Sequence, residues 1–179
     1  MEGISQEAIS MAGHLKLNKL IVLWDDNEIC IDGNTNLTTS DNQCARFEAS
    51  GWDTQAIDGH DAAAIKKAIA KAQKSKKPSL IACKTIIGFG APTKAGSHST
   101  HGAPLGDEEI AGMREALDWN HGPFVVPKDV KAAWAKAGAR GAADHAAWNK
   151  RTKRLKSTKE LQAVSAGKLP AGWARKLDA

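Results

Sequence analysis

Two short apolar runs, Lys19–Trp24 and Ser79–Ile86, are each bounded by polar residues and separated by stretches of helical periodicity. Runs of this length without polar alternation read as strands of a parallel sheet covered on both faces. Ile4, Ala8, Met11, Ala12 and Leu15 recur at helical spacing and predict an amphipathic helix over 4–16. A polar loop follows from Asp25 to Ser40, then a short helix over Asn42–Ser50 stopped by Gly51. Trp52–Ile57 is a weaker strand. Asp58-Gly59-His60-Asp61 is turn chemistry, with Asp61 placed to cap a helix whose buried face is Ile65, Ile69 and Ala72. Pro78 introduces the second apolar run. Helix-strand-helix-strand-helix-strand predicts an α/β domain with a largely parallel sheet. That sheet is expected to be incomplete, because the order opens on a helix with no strand before it.

After Ile87 the chain is Gly- and Ser-rich as far as Gly106, a loop of about 20 residues, and loops that long in compact domains are commonly functional. Asp107 is expected to cap a helix that sets Ile110, Met113 and Leu117 on one face. Beyond Pro127, Ala-, Lys- and Trp-containing helical sequence runs to about Lys156, and Ser165–Gly172 reads as a break or exit linker. The expected division is an α/β part over 1–126 and a basic helical extension over 127–179.

The 179 residues suffice for one ordinary core. The longest early apolar stretch, Leu20–Trp24, is far short of the roughly 20 residues that span a bilayer, so no membrane role is expected. Cys30, Cys44 and Cys83 are sparse and odd in number, which fits reduced thiols in a cytoplasmic setting. The net charge of +5 is unevenly placed. Residues 1–127 hold 12 Lys/Arg against 16 Asp/Glu, whereas 128–179 hold 13 against 4. Trp134, Trp148 and Trp173 stand too far apart to make a base-stacking platform, so a solvated basic helix face is expected rather than a nucleic-acid partner.

Two stretches could carry chemistry. Asp25-Asp26-Asn27-Glu28-Ile29 follows the first strand, where α/β sheets bind ligands. Asn27 could offer its side-chain oxygen, and Ile29 its carbonyl, to a hard divalent cation; a surface turn needs the same residues. Lys94–Gly106 carries His98 and His101, which could bind a transition metal, though no third ligand is obvious, contact a phosphate, move a proton or be plain loop surface. His60 reads as turn structure and Cys83 as inert packing.

These stretches also recur in a recognisable series. Met1-Glu2-Gly3-Ile4-Ser5-Gln6-Glu7-Ala8, Asp25-Asp26-Asn27 with Ile29 and Ile31-Asp32-Gly33, and Arg46-Phe47-Glu48-Ala49 come first. Ile57-Asp58-Gly59-His60-Asp61, Lys84-Thr85-Ile86-Ile87-Gly88-Phe89-Gly90 and His98-Ser99-Thr100-His101-Gly102-Ala103-Pro104-Leu105-Gly106 follow. Together they resemble transketolase over about 1–155, while 156–179 is similar to the linker leaving its diphosphate-binding domain. The resemblance implies a thiamine-diphosphate-binding fold, with Mg²⁺ held by Asn27 and the carbonyl of Ile29. It implies that Ile31 and Ile87 pack against the cofactor. His101 would contact the diphosphate and the donor sugar, with a role in proton handling. Glu2 and Glu7 would lie at the subunit interface of a homodimer. The implied reaction moves a two-carbon ketol unit between sugar phosphates.

The opening residues are similar to those following the family's Gly-Asp-Gly motif, and no Gly-Asp-Gly stands among the 179. Asn34-Thr35-Asn36-Leu37 departs from the usual loop. The expectation is therefore the later part of that N-terminal domain, inactive alone. One chain of a split thiamine-diphosphate enzyme, or a non-catalytic module using the dimer surface, stand as alternatives.

Overall fold

The computed structural model describes residues 5–155, 158–169 and 172–176. It divides into two compact units, Met1–Asn120 and His121–Ala179. The first unit holds a parallel sheet of β1 (Ile21–Asp26), β5 (Ser79–Lys84) and β4 (Asp53–Asp58), with β5 in the middle. Its register is continuous: Ile21 and Asp53 both face Ser79, and Asp26 and Asp58 both face Lys84. All three strands therefore deliver their carboxyl ends to one edge.

Burial separates the two apolar runs. Ser79 through Cys83 are all buried, as a central strand requires. β1 is not the doubly covered strand expected: it pairs only with β5 among the described residues, and Leu23 is 51% exposed. It also starts later and runs further than Lys19–Trp24. Leu20 is taken into a turn with Leu17, and pairing with β5 draws the polar Asp25 and Asp26 into the ladder. β5 ends at Lys84, short of Ile86: the Thr85 N–H still reaches the Asp26 carbonyl of β1, but the Ile86 N–H turns to the His60 ring.

Side chains alternate across β5, and each face meets its own helices. On one face Leu80 joins Ala12, Phe47 and Trp52, bringing in α1 (Ser5–His14) and α2 (Gln43–Ala49). Trp52 donates its indole N–H to the carbonyl of Ile9 at 2.9 Å and meets Phe47 edge-on. Helix α1 sits so close that a Cβ on Gly13 would lie 1.7 Å from the Ser50 carbonyl oxygen. On the other face Ile81 and Cys83 pack on α3 (Ala62–Ala72). The alanines Ala68 and Ala72 make the flush contact, with Ile65 and Ile69 only half-buried at its margin. Asp61 caps α3 as expected, and Asn42, read from sequence as the first residue of α2, caps it instead through its side-chain oxygen.

Three details depart from expectation. The loop after β1 contains a two-rung hairpin, β2 (Ile29–Cys30) with β3 (Gly33–Asn34). Helix α4 (Asp107–Ala116) starts one residue earlier than a cap at Asp107 would give: Gly106, at φ 93°, occupies the cap, and Asp107 is the first helical residue. Its carboxylate still faces the positive helix end. The expected apolar face of α4 is largely exposed, Ile110 at 44% and Leu117 at 48%; Glu109 is the buried residue.

The second unit contains α5 (Lys128–Ala139), α6 (Ala142–Thr152) and α7 (Thr158–Ser165). The turn at Arg140–Gly141 divides what sequence reads as one helical stretch. Thr158 closes the α6–α7 corner by donating its hydroxyl to the carbonyls of Thr152 and Leu155. Helix α7 ends at Ser165 and is followed by Gly167 at φ 70°, the break expected there; Lys156 and Pro170 lie outside the described residues.

Candidate functional site

At the carboxyl end of β1 the chain makes a tight polar turn. The side-chain oxygen of Asn27 accepts the Ile29 N–H at 3.0 Å, and its amide donates to Asp25 at 3.3 Å. This Asx turn forces Glu28 to φ 60°, a left-handed conformation that few residues other than Gly adopt. The Glu28 carbonyl then accepts from Thr35, closing the β2–β3 hairpin. Ile31 lies in the connection between those strands, 67% exposed.

Side chains stitch this turn to the end of β5. Thr85 donates its hydroxyl to Asp25, and its N–H bonds the Asp26 carbonyl at 3.2 Å. Lys84 pairs with Glu28 and lies 4.0 Å from Asp26. The β4 end joins through Gly59, whose N–H reaches the Lys84 carbonyl at 2.7 Å. One residue on, the His60 ring accepts the Ile86 N–H at Nε2, 2.9 Å away, and stacks on Phe89 with centroids 4.0 Å apart. His60 is turn structure, as expected, and also a prop for the segment after β5.

The long loop meets the same segment. The Ile87 carbonyl accepts the Gly96 N–H at 2.8 Å. Ser97 caps a single 3₁₀ turn, His98–Thr100, and His101 closes it with an N–H to the His98 carbonyl at 3.0 Å. His101 is exposed and its ring makes no hydrogen bond among the described residues. Asn27, Ile29, Ile87 and the His101 turn thus belong to one continuous set of contacts at the strand ends. Ile31 extends outward from it. Glu7 sits apart, exposed in the first turn of α1, and Glu2 lies outside the described residues.

Lys84 and Thr85 stand in a motif of the sequence without a role assigned to them, and Thr93 and Glu109 in none. The signal for Lys84 and Thr85 is that they are polar residues near the end of the run Ser79–Ile86. Nothing in the sequence marks Glu109, whose importance comes from burial against a loop.

Three or more His, Cys, Asp or Glu side chains grouped to hold a metal are not found among the described residues. The carboxylates beside Asn27 are engaged by Thr85 and Lys84. What remains is a pair of neutral hard oxygens: the Asn27 side-chain oxygen, one lone pair of which takes Ile29 N–H, and the Ile29 carbonyl. Such a pair fits part of an Mg²⁺ shell, which takes about six oxygens, several of them water or phosphate. Nearby, burial first and the Asp25 charge second push the Cys83 thiol up, which agrees with an inert packing role.

The family model described as "Transketolase, thiamine diphosphate binding domain" matches residues 1–170. The transketolase of Sinorhizobium medicae is 58% identical over 161 residues, 90% of this chain and 23% of its own length. A crystal structure of transketolase from Campylobacter jejuni superposes with a TM-score of 0.80 at 39% identity, over 90% of this chain and 26% of that one. The Pichia stipitis transketolase crystallised with sedoheptulose-7-phosphate gives 0.82 at 38% identity, over 98% and 27%. The chain spans about a quarter of the length of the relatives it matches.

Proposed function

The chain belongs to the transketolase family, within its thiamine diphosphate-binding domain, and from that premise we propose that it contributes the diphosphate and metal side of a ketol-transfer site. The whole reaction would move a two-carbon unit from a ketose phosphate to an aldose phosphate. Thiamine diphosphate, when bound, supplies the electron sink that this transfer needs. Asn27 and the Ile29 carbonyl would share Mg²⁺ with the diphosphate. Ile31 and Ile87 would cover the cofactor with apolar surface and exclude water. His101 would bond a phosphate oxygen or a sugar hydroxyl through a ring nitrogen and exchange a proton there, as an imidazole can near neutral pH. Glu7 and Glu2 would face a second subunit of a homodimer. Residues 1–126 would form the α/β part, with 127–179 the basic extension beyond it.

The observation that carries this reading is the Asn27–Ile29 turn at the carboxyl end of β1, tied through Asp25 and Thr85 to the segment bearing Ile87. In open α/β sheets this is where ligands bind. Among the described residues, the turn offers the cation the neutral oxygens of Asn27 and Ile29, and no group of three or more His, Cys, Asp or Glu stands ready to hold it. Calorimetry with thiamine diphosphate and Mg²⁺ should therefore show no binding to the 179 residues alone; saturable micromolar binding would contradict that. The positive test is a transplant, with these residues replacing the matching segment of the Sinorhizobium medicae enzyme. There Asn27→Leu should raise the Mg²⁺ requirement for cofactor retention by at least the ~10–100-fold that loss of an outer-shell partner costs. An unchanged requirement would remove Asn27 from the site.

A further inference from the structure

The loop between β5 and α4 is fastened by a carboxylate to which the proposed function gives no role. Glu109, in the first turn of α4, is only 8% exposed, and a carboxylate so covered needs its oxygens bonded. One oxygen accepts the N–H groups of Thr93 at 3.2 Å and Lys94 at 3.3 Å; the other takes the Thr93 hydroxyl. Lys94 in turn donates its ammonium to the carbonyl of Leu105 at 2.6 Å. One short network thus fastens both ends of the loop that carries His98 and His101. Helix α4 is seated for this: a Cβ on Gly112 would lie 2.2 Å from Pro92 Cγ, so only glycine lets the helix approach the segment before Thr93. Inside the loop, Gly96 bonds Ile87, and Thr100 packs where a Cβ on Gly88 would be 3.1 Å away. The fastened ends therefore hold the His98–Thr100 turn against the residue beside Ile87.

We propose that Glu109, with Lys94, is a positioning latch for His101: it fixes the loop's two ends and thereby the place of the imidazole. The loop-ordering part rests on contacts alone, while its catalytic meaning rests on the role proposed above for His101. The donors that build the latch, Thr93's hydroxyl first, hold the Glu109 carboxyl below the usual carboxylate range against the opposing effect of burial, so the latch is ionised at neutral pH.

The test compares Glu109→Met and Glu109→Gln. Met keeps the length and removes both acceptors. Gln can turn its oxygen to the two N–H groups and its amide to the Thr93 hydroxyl, keeping the network. Amide hydrogen exchange on the chain should show Gly96, Thr100 and His101 exchanging ~10-fold faster or more in Glu109→Met, with Leu80–Ala82 of β5 unchanged and Glu109→Gln near the parent. Equal exchange in parent and Met variant would overturn the latch, and so would a uniform loss reaching β5. Should Glu109→Met not fold, Lys94→Met releases only the Leu105 end; unchanged protection at His101 there would equally overturn it. In the transplant, Glu109→Met should lower ketol transfer and Glu109→Gln should restore it. If instead exchange behaves as expected but His101→Ala leaves ketol transfer intact, the latch stands and the reading of His101 falls.

Discussion

A methyl group added at Gly59 would sit 2.4 Å from the Thr85 methyl and 2.9 Å from the Lys84 carbonyl oxygen. Gly59 is where the end of β4 meets the end of β5 backbone to backbone, so Gly59→Ala should cost ~1–3 kcal/mol by overpacking, read as a lower denaturation midpoint. Ser79 poses the opposite case: its hydroxyl is buried with no hydrogen-bond partner, and Ser79→Ala should leave stability unchanged or raise it by up to ~1 kcal/mol. The cysteines divide by burial. Cys83, 7% exposed with its thiol pushed up by burial, should react with a thiol reagent only after unfolding, while half-buried Cys30 reacts in the native chain. Residue roles such as those of Asn27 and Asp61 were legible in sequence because their turn and cap chemistry is local. Glu109 and the ring of His60 were not, because their partners lie 16 and 26 residues away.

At the scale of elements, periodicity located the helices and strands of the first unit, but it could not say which strand lies in the middle. Lys19–Trp24 and Ser79–Ile86 look alike as apolar runs; pairing alone makes β5 central and leaves β1 on an edge. The same limit hid the β2–β3 hairpin, two rungs too short to show alternation. For α4, helical spacing marked Ile110 and Leu117 as the inner face, yet Glu109 is the residue turned inward. Its lowered carboxyl pKa makes the loop pH-sensitive in a defined direction. A depressed pKa gives stabilisation that is full above the unfolded-state value, near 4.5, and is lost as pH falls through the lower folded-state value. Hydrogen exchange at Gly96 and His101, followed relative to β5, should therefore be flat at neutral pH and lose relative protection in acid. Glu109→Met should abolish that difference.

Across the whole molecule, family membership, the parallel sheet and the match over 1–170 agree, and the chain amounts to about a quarter of its relatives' length. The 179 residues on their own expose apolar side chains on and beside β1: Met11 at 58%, Leu15 at 55%, Leu17 at 44% and Leu23 at 51%. A strand with one open edge flanked by such residues promotes association, so sedimentation should show concentration-dependent self-assembly of the isolated chain, and a clean monomer at high concentration would contradict it. These residues are proposed above as one side of a working ketol-transfer site. The direct test is the rate at which the transplanted Sinorhizobium medicae enzyme transfers a ketol unit from a ketose phosphate to an aldose phosphate, with thiamine diphosphate and Mg²⁺ supplied. Turnover comparable to the parent enzyme is expected; a folded transplant with no transfer would remove these residues from the site.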